Sequence, residues 1–327
     1  MAESNNRPGR TEKRQLRAER KAAQLAQEQA LAEKLEHERR QQTIIGIIVV
    51  VIVVALIAVI GVVVYRNVHK NSASESQSAS ESYNNLQQVK TKPVGANKQG
   101  GFLLSKNGYN KSIANVPTVS EYFDPLCPGC GAFNRQVDPT ITSLVDAGQI
   151  NLVLYPMSFL DQNSSDSYSS RASGAVAYIA THDSNPDHLL AYIANIYASG
   201  FQPQEGTSYK SVSNAALNKQ AVKAGVSQSV ADKAFGGEYQ KWLDAINTYT
   251  PKRPELWNTS GSNKGAMTTP TVTFNGKMLD MNRVSDLGLS LKSAVLQSLG
   301  LTESQVGKEG ELPSIGAQGK PVTLKSA

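Results

Sequence analysis

The chain of 327 residues contains two cysteines, three positions apart, in the run Cys127-Pro128-Gly129-Cys130. A pair at that spacing can close a small disulfide, contribute to a metal site, or exchange electrons with another dithiol. A plain staple around so short a loop contributes only about 2 kcal/mol, which is little for a body large enough to bury a full core. Zinc needs further ligands. His182 and His188 have a workable mutual spacing, but more than fifty residues separate them from Cys130 and there is no second CxxC. Thiol–disulfide exchange remains, and the spacing suits it. A cysteine at a helix amino terminus meets unsatisfied N–H groups and the positive end of the dipole, both of which favour thiolate over thiol. Cys127 is therefore expected as the accessible nucleophile. Cys130, one turn deeper on the same face, is expected as the shielded resolving thiol that can attack a mixed disulfide and release the partner. Pro128 fits the first helical turn, where its missing N–H leaves no bond unmade.

Those roles require a strand that ends and a helix that begins at the motif. Val116 to Phe123 is an extended apolar-rich run, and Ala132 to Val145 has helical spacing with Pro139 as an expected kink. Ile150 to Pro156 reads as a second core strand, so strand, helix and strand make one βαβ unit. Phe102-Leu103-Leu104 reads as a strand ahead of them. Further on, Ser170 to Ala180, His188 to Ala198 and Val230 to Ile246 have helical patterns, with Tyr178, Ile193, Tyr197 and Trp242 as core positions. Met267 to Phe274 resumes strand character. Asn275-Gly276 then predicts a hairpin turn into Lys277-Met278-Leu279, followed by a helix over Val284 to Leu299.

Composition shifts sharply before this body. Ten of the 33 Lys and Arg residues and seven Glu precede residue 44, so +3 of the net charge of +6 belongs to a charged, helix-prone tail over 1–43, and the body has no basic block interleaved with aromatics that would indicate nucleic-acid binding. Ile44 to Val64 is an uninterrupted apolar run spanning about 31 Å as a helix, the thickness of a bilayer core. A single transmembrane helix over 44–65 is expected, embedded in lipid. Lys34, Arg39 and Arg40 on its amino-terminal side place the amino terminus in the cytoplasm and the rest outside, where disulfides persist. Residues 66–100 are too polar to fold and read as a flexible linker. The folded domain is expected over 101–300, with a tail over 301–327.

The stretch Glu121-Tyr122-Phe123-Asp124-Pro125-Leu126-Cys127-Pro128-Gly129-Cys130 resembles the DsbA-like branch of the thioredoxin superfamily, as does Met267-Thr268-Thr269-Pro270-Thr271-Val272-Thr273-Phe274. The resemblance covers roughly residues 100–300. It implies an α/β thioredoxin-like fold with an inserted helical domain at about 165–250, here preceded by one transmembrane helix. It implies that Pro270 is cis beside the sulfurs, that Thr269 presents backbone groups to a substrate strand, and that Glu121 is a buried carboxyl moving the proton of Cys130. From the residues alone, Glu121 could equally be an exposed charge on an edge strand. Pro128 and Gly129 would tune the redox poise; many oxidising members carry His where Gly129 stands.

The function implied is an extracytoplasmic enzyme introducing disulfides into exported cysteine-containing polypeptides, with no cofactor beyond the Cys127–Cys130 disulfide and no metal. A membrane redox partner would restore the pair. A reductase or isomerase fed by a membrane electron donor stays open, as does a non-catalytic envelope chaperone or binding module.

Overall fold

The computed structural model describes residues 78–326. The expected charged tail and membrane helix over 44–65 lie outside the described residues. Among those described, no helix is long and apolar enough to cross a membrane.

Among the described residues, six strands form one mixed sheet: β1 (Phe102–Ser105), β2 (Gly108–Tyr109), β3 (Thr118–Phe123), β4 (Asn151–Pro156), β5 (Thr271–Phe274) and β6 (Lys277–Met278), in the order β2-β1-β4-β3-β5-β6. β3 and β4 run parallel, with Glu121 opposite Leu154 and Phe123 opposite Pro156. The crossover between them is α2 (Pro128–Asp146), so the βαβ unit read from the sequence is present. Pro139 lies inside α2 without ending it. β5 pairs antiparallel with the other edge of β3, Val119 opposite Phe274 and Tyr122 opposite Thr271. The strand carrying the motif is therefore central.

Alternation along β3 sends successive side chains to opposite faces. Tyr122 stacks on Tyr155 with ring centroids 4.2 Å apart, and the guanidinium of Arg253 lies 5.6 Å from the Tyr122 ring centre. Glu121 and Phe123 point the other way, toward α2 and α4 (Pro186–Ile196).

Between the sheet halves come α3 (Tyr168–His182), α4, α5 (Asn214–Lys223), α6 (Gln228–Ala231) and α7 (Gln240–Tyr249), the inserted helical region. Tyr178, Ile193, Tyr197 and Trp242 are all buried in it. The helix expected over Val230 to Ile246 is divided into α6 and α7, because Gly237 takes a left-handed backbone (φ 74°) that a helix cannot carry. Gly288 (φ 62°) likewise splits the expected carboxy-terminal helix into α8 (Met281–Asp286) and α9 (Leu291–Leu299).

Two boundaries differ from the sequence reading. The expected flexible linker contains a packed helix, α1 (Ala79–Gln88), which Ser78 and Glu81 start with a reciprocal capping box. Ser82 and Leu86, four residues apart on one face, are buried against the body, and Tyr83 meets Tyr249 with ring centroids 5.3 Å apart. One apolar face and a good cap outweigh polar composition here. The tail from 301 onward also lies on the body. The Gln149 side chain donates to the carbonyls of Gln305 and Glu311 and accepts from the Gly307 N–H, while Asn275 Nδ2 donates to the carbonyls of Gly316 and Gly319.

Candidate active site

Cys127 is the N-cap residue of α2, with Pro128 in the first turn. Its backbone is extended (φ −64°, ψ 118°), which turns the side chain back over the helix so that Sγ accepts the Cys130 N–H at 3.4 Å. The Thr269–Pro270 peptide bond is cis, and the Cys127 thiol donates to the Thr269 carbonyl at 3.3 Å. Two segments 142 residues apart in sequence thus meet at one sulfur. Pro270 and Thr269 are buried, and the Thr269 hydroxyl has no partner among the described residues.

Both cysteines are free thiols with 0% exposure. The expectation of an accessible Cys127 is therefore corrected. The cis-proline loop accepts its thiol on one side, and Gln202, from the segment after α4, donates Nε2 to the carbonyls of Cys127 (3.0 Å) and Pro125 (3.2 Å) on the other. Pro128 alone in the motif is partly exposed, and Gly129 is buried. Burial pushes the Cys130 thiol well above its ordinary range, with the neighbouring Cys127 sulfur adding to the shift.

The deeper sulfur has a partner that the sequence did not single out. The Asp124 N–H points at Cys130 Sγ at 3.5 Å. The Asp124 carboxylate accepts from the N–H groups of Leu126 (2.9 Å) and Leu160 (3.0 Å) and from the Ser169 hydroxyl, and its carbonyl accepts from Tyr197 Oη at 2.8 Å. Burial, partly offset by these donors, raises its carboxyl to about 7. An Asp two residues ahead of an amide it caps is an Asx turn, and Asp-Pro-Leu after a strand carried that signal. Tyr197 and Gln202 had none, since their roles depend on how the insertion folds back.

Glu121 is not an edge-strand charge: it is 3% exposed on the central strand. Burial, and then the nearby Asp138, hold its carboxyl well above the usual range. Asp138, on α2, is raised to about 7 by burial, with Asn134 donating to one of its oxygens.

A family model described as thioredoxin matches residues 112–292. Among solved structures, DsbA from Mycobacterium tuberculosis in its reduced form is 27% identical, with 54% of this chain and 83% of that chain covered and a TM-score of 0.45. DsbG from the same organism is 27% identical, covering 59% and 83%, with a TM-score of 0.44. MdbA, a thiol-disulfide oxidoreductase from Actinomyces oris, is 18% identical, covering 65% and 93%, with a TM-score of 0.46. A curated relative, the serine/threonine-protein kinase PknE of Mycobacterium tuberculosis, is 33% identical over 95 residues. That match takes in 28% of this chain and spans only 17% of the kinase's length.

Proposed function

The chain belongs to the thioredoxin family, and from that premise we propose that it is a membrane-anchored thiol–disulfide oxidoreductase that introduces disulfides into exported polypeptides through Cys127 and Cys130. The observation that carries the reading is the meeting of Cys127, at the amino terminus of α2, with the Thr269 carbonyl beside cis-Pro270. This arrangement holds one sulfur at the amino-terminal end of a helix dipole and the other one turn inside it.

In the oxidised form, a substrate thiolate attacks Cys127 Sγ. A new S–S bond forms, the Cys127–Cys130 bond breaks, and its electron pair leaves on Cys130, which takes a proton. The substrate's second thiolate then attacks its own sulfur in the mixed disulfide, expelling Cys127 as a thiolate. The substrate gains a disulfide and the enzyme gains two thiols. Burial at Cys130 favours the neutral thiol, so proton delivery there belongs to the step, and the buried carboxyl of Glu121 is our candidate carrier. Thr269 contributes in a state-dependent way: its carbonyl accepts the Cys127 thiol in the dithiol form, and once that thiol becomes a disulfide the carbonyl is free to pair with a substrate strand. Two cysteines cannot reoxidise themselves, so an extracytoplasmic membrane partner resets the pair.

Equilibration against glutathione buffers tests the direction. A donor of disulfides has a potential above that of the bonds it makes, and its oxidised form converts a reduced two-cysteine peptide to the disulfide. A potential below that of such peptides would reverse the assignment to a reductase.

A further inference from the structure

Behind the dithiol, between β3 and β4 on one side and α2 and α4 on the other, lies a cavity of about 400 Å³, within the range of small-molecule sites. Its position follows from helix spacing: Cys130, Asn134 and Asp138 stand four residues apart and stack on one face of α2. The walls are apolar, with Phe123, Leu152 and Leu154 from the sheet and Ile141 and Ile193 from the helices. The polar groups are mostly acids. Glu121, 3% exposed, lines the cavity without a side-chain hydrogen bond or ion pair among the described residues. Asp138 uses one oxygen to accept from Asn134, while its buried Oδ1 has no partner among the described residues. The exposed Asp146 and Asp187 stand at the rim. Arg135 is the single base among the lining residues described, and its Nη1 is committed to the Tyr197 carbonyl (2.6 Å) and Gln202 Oε1 (3.2 Å).

Buried polar groups are normally paired, and an unpaired one costs about 1–3 kcal/mol. Asp138 Oδ1 is such a group, and the Glu121 carboxyl faces the same apolar space, so the pair selects what can enter. An anion is repelled by the rim carboxylates of Asp146 and Asp187. A neutral hydrocarbon fills the volume but leaves the carboxyl oxygens bare. An ammonium on a short hydrocarbon offers three donors to those oxygens and an apolar body to the walls.

We propose that this cavity is a binding site for a small apolar amine, whose ammonium group is held between Glu121 and Asp138. Because burial raises both carboxyls, seating the ammonium expels a proton wherever the acid still carries one: the cation and the acid form an ion pair, and the acid's proton passes to solvent. Binding strengthens with pH until the amine itself loses its charge. The site shares Glu121 with the proton step proposed above, and its test reads binding and does not use turnover.

The test is calorimetric titration of the full chain with n-hexylamine, with hexan-1-ol and hexanoate as matched controls, at pH 6, 7 and 8. Expected are saturable one-to-one binding of hexylamine, an affinity that rises up to about tenfold per pH unit as a proton is released, and weak or no binding of the controls. Asp138→Asn and Glu121→Gln should each weaken hexylamine at least tenfold. Ala191→Phe, which fills the cavity from α4, should abolish binding while leaving the circular dichroism spectrum unchanged. Hexan-1-ol binding as tightly as hexylamine would overturn the proposal, as would the absence of saturable binding. Neither comparison needs a variant, so a substitution that fails to fold leaves the test intact.

Discussion

Ser169, in the first turn of α3, donates its hydroxyl to the carboxylate of Asp124, 45 residues earlier at the end of the motif strand. Through this bond and that from Leu160, the inserted helices are fastened to the turn that presents the cysteines. The insertion therefore supports the dithiol from behind. Asp124→Ala would leave the Leu126 and Leu160 N–H groups and the Ser169 hydroxyl without an acceptor, and the expected loss of stability is about 3 kcal/mol. Tyr197→Phe, which removes a single bond to the Asp124 carbonyl, is expected to cost about 1 kcal/mol. Urea unfolding midpoints measure both, and an Asp124→Ala no worse than Tyr197→Phe would show that the carboxylate is not the fastening.

Alkylation separates the two sulfurs. Burial raises the Cys130 thiol, so the helix-terminal Cys127 should react with iodoacetamide about tenfold faster or more between pH 6 and 9. Peptide mapping after brief exposure gives the ratio. Equal rates would contradict the division into nucleophile and resolving thiol.

Cys130→Ala leaves Cys127 able to join a substrate but removes the thiol that expels it. Reductant-sensitive complexes with exported cysteine-containing proteins should accumulate, visible on non-reducing gels, and should vanish in Cys127→Ser/Cys130→Ala. A purified Cys130→Ala protein that forms no mixed disulfide with activated cysteine peptides would rule out Cys127 as the attacked sulfur.

Asp138 makes stability depend on pH. Its carboxyl sits at about 7 in the folded chain, above the unfolded value of about 3.9, so the folded state binds the proton more tightly. Its contribution is fully present below about pH 4 and is lost as pH rises through about 7. Asp138→Asn keeps an acceptor for Asn134 and removes the charge. Thermal unfolding at about pH 4 should then differ little between the two proteins, while at about pH 8 the variant should be the more stable. A constant offset across that range would mean that Asp138 does not titrate inside the fold.

Topology is open to a direct assay. Lys34, Arg39 and Arg40 before the apolar run 44–65 predict an extracytoplasmic body. Protease added to protoplasts should degrade residues beyond 66 while sparing the amino-terminal tail. Protection of the body would remove the oxidising compartment on which disulfide donation rests.

The sequence by itself determined the chemistry and the core connectivity. Cys127 and Cys130 at a strand-to-helix junction, an apolar strand on either side of that helix, and Thr269-Pro270 at the head of a later strand are local signals, written in spacing and residue type. Helix breaks at Gly237 and Gly288 were legible in principle too, since glycine is where the left-handed backbone is found. Only the tertiary structure decided which groups surround the sulfurs. Asp124 meets Ser169, Gln202 meets the Cys127 carbonyl, and Glu121 shares a cavity with Asp138 because elements far apart in sequence pack together. The burial of Cys127 belongs to the same class. Composition and periodicity report which face of an element is apolar, whereas the neighbour that covers a given atom is fixed by long-range packing, which no local pattern encodes.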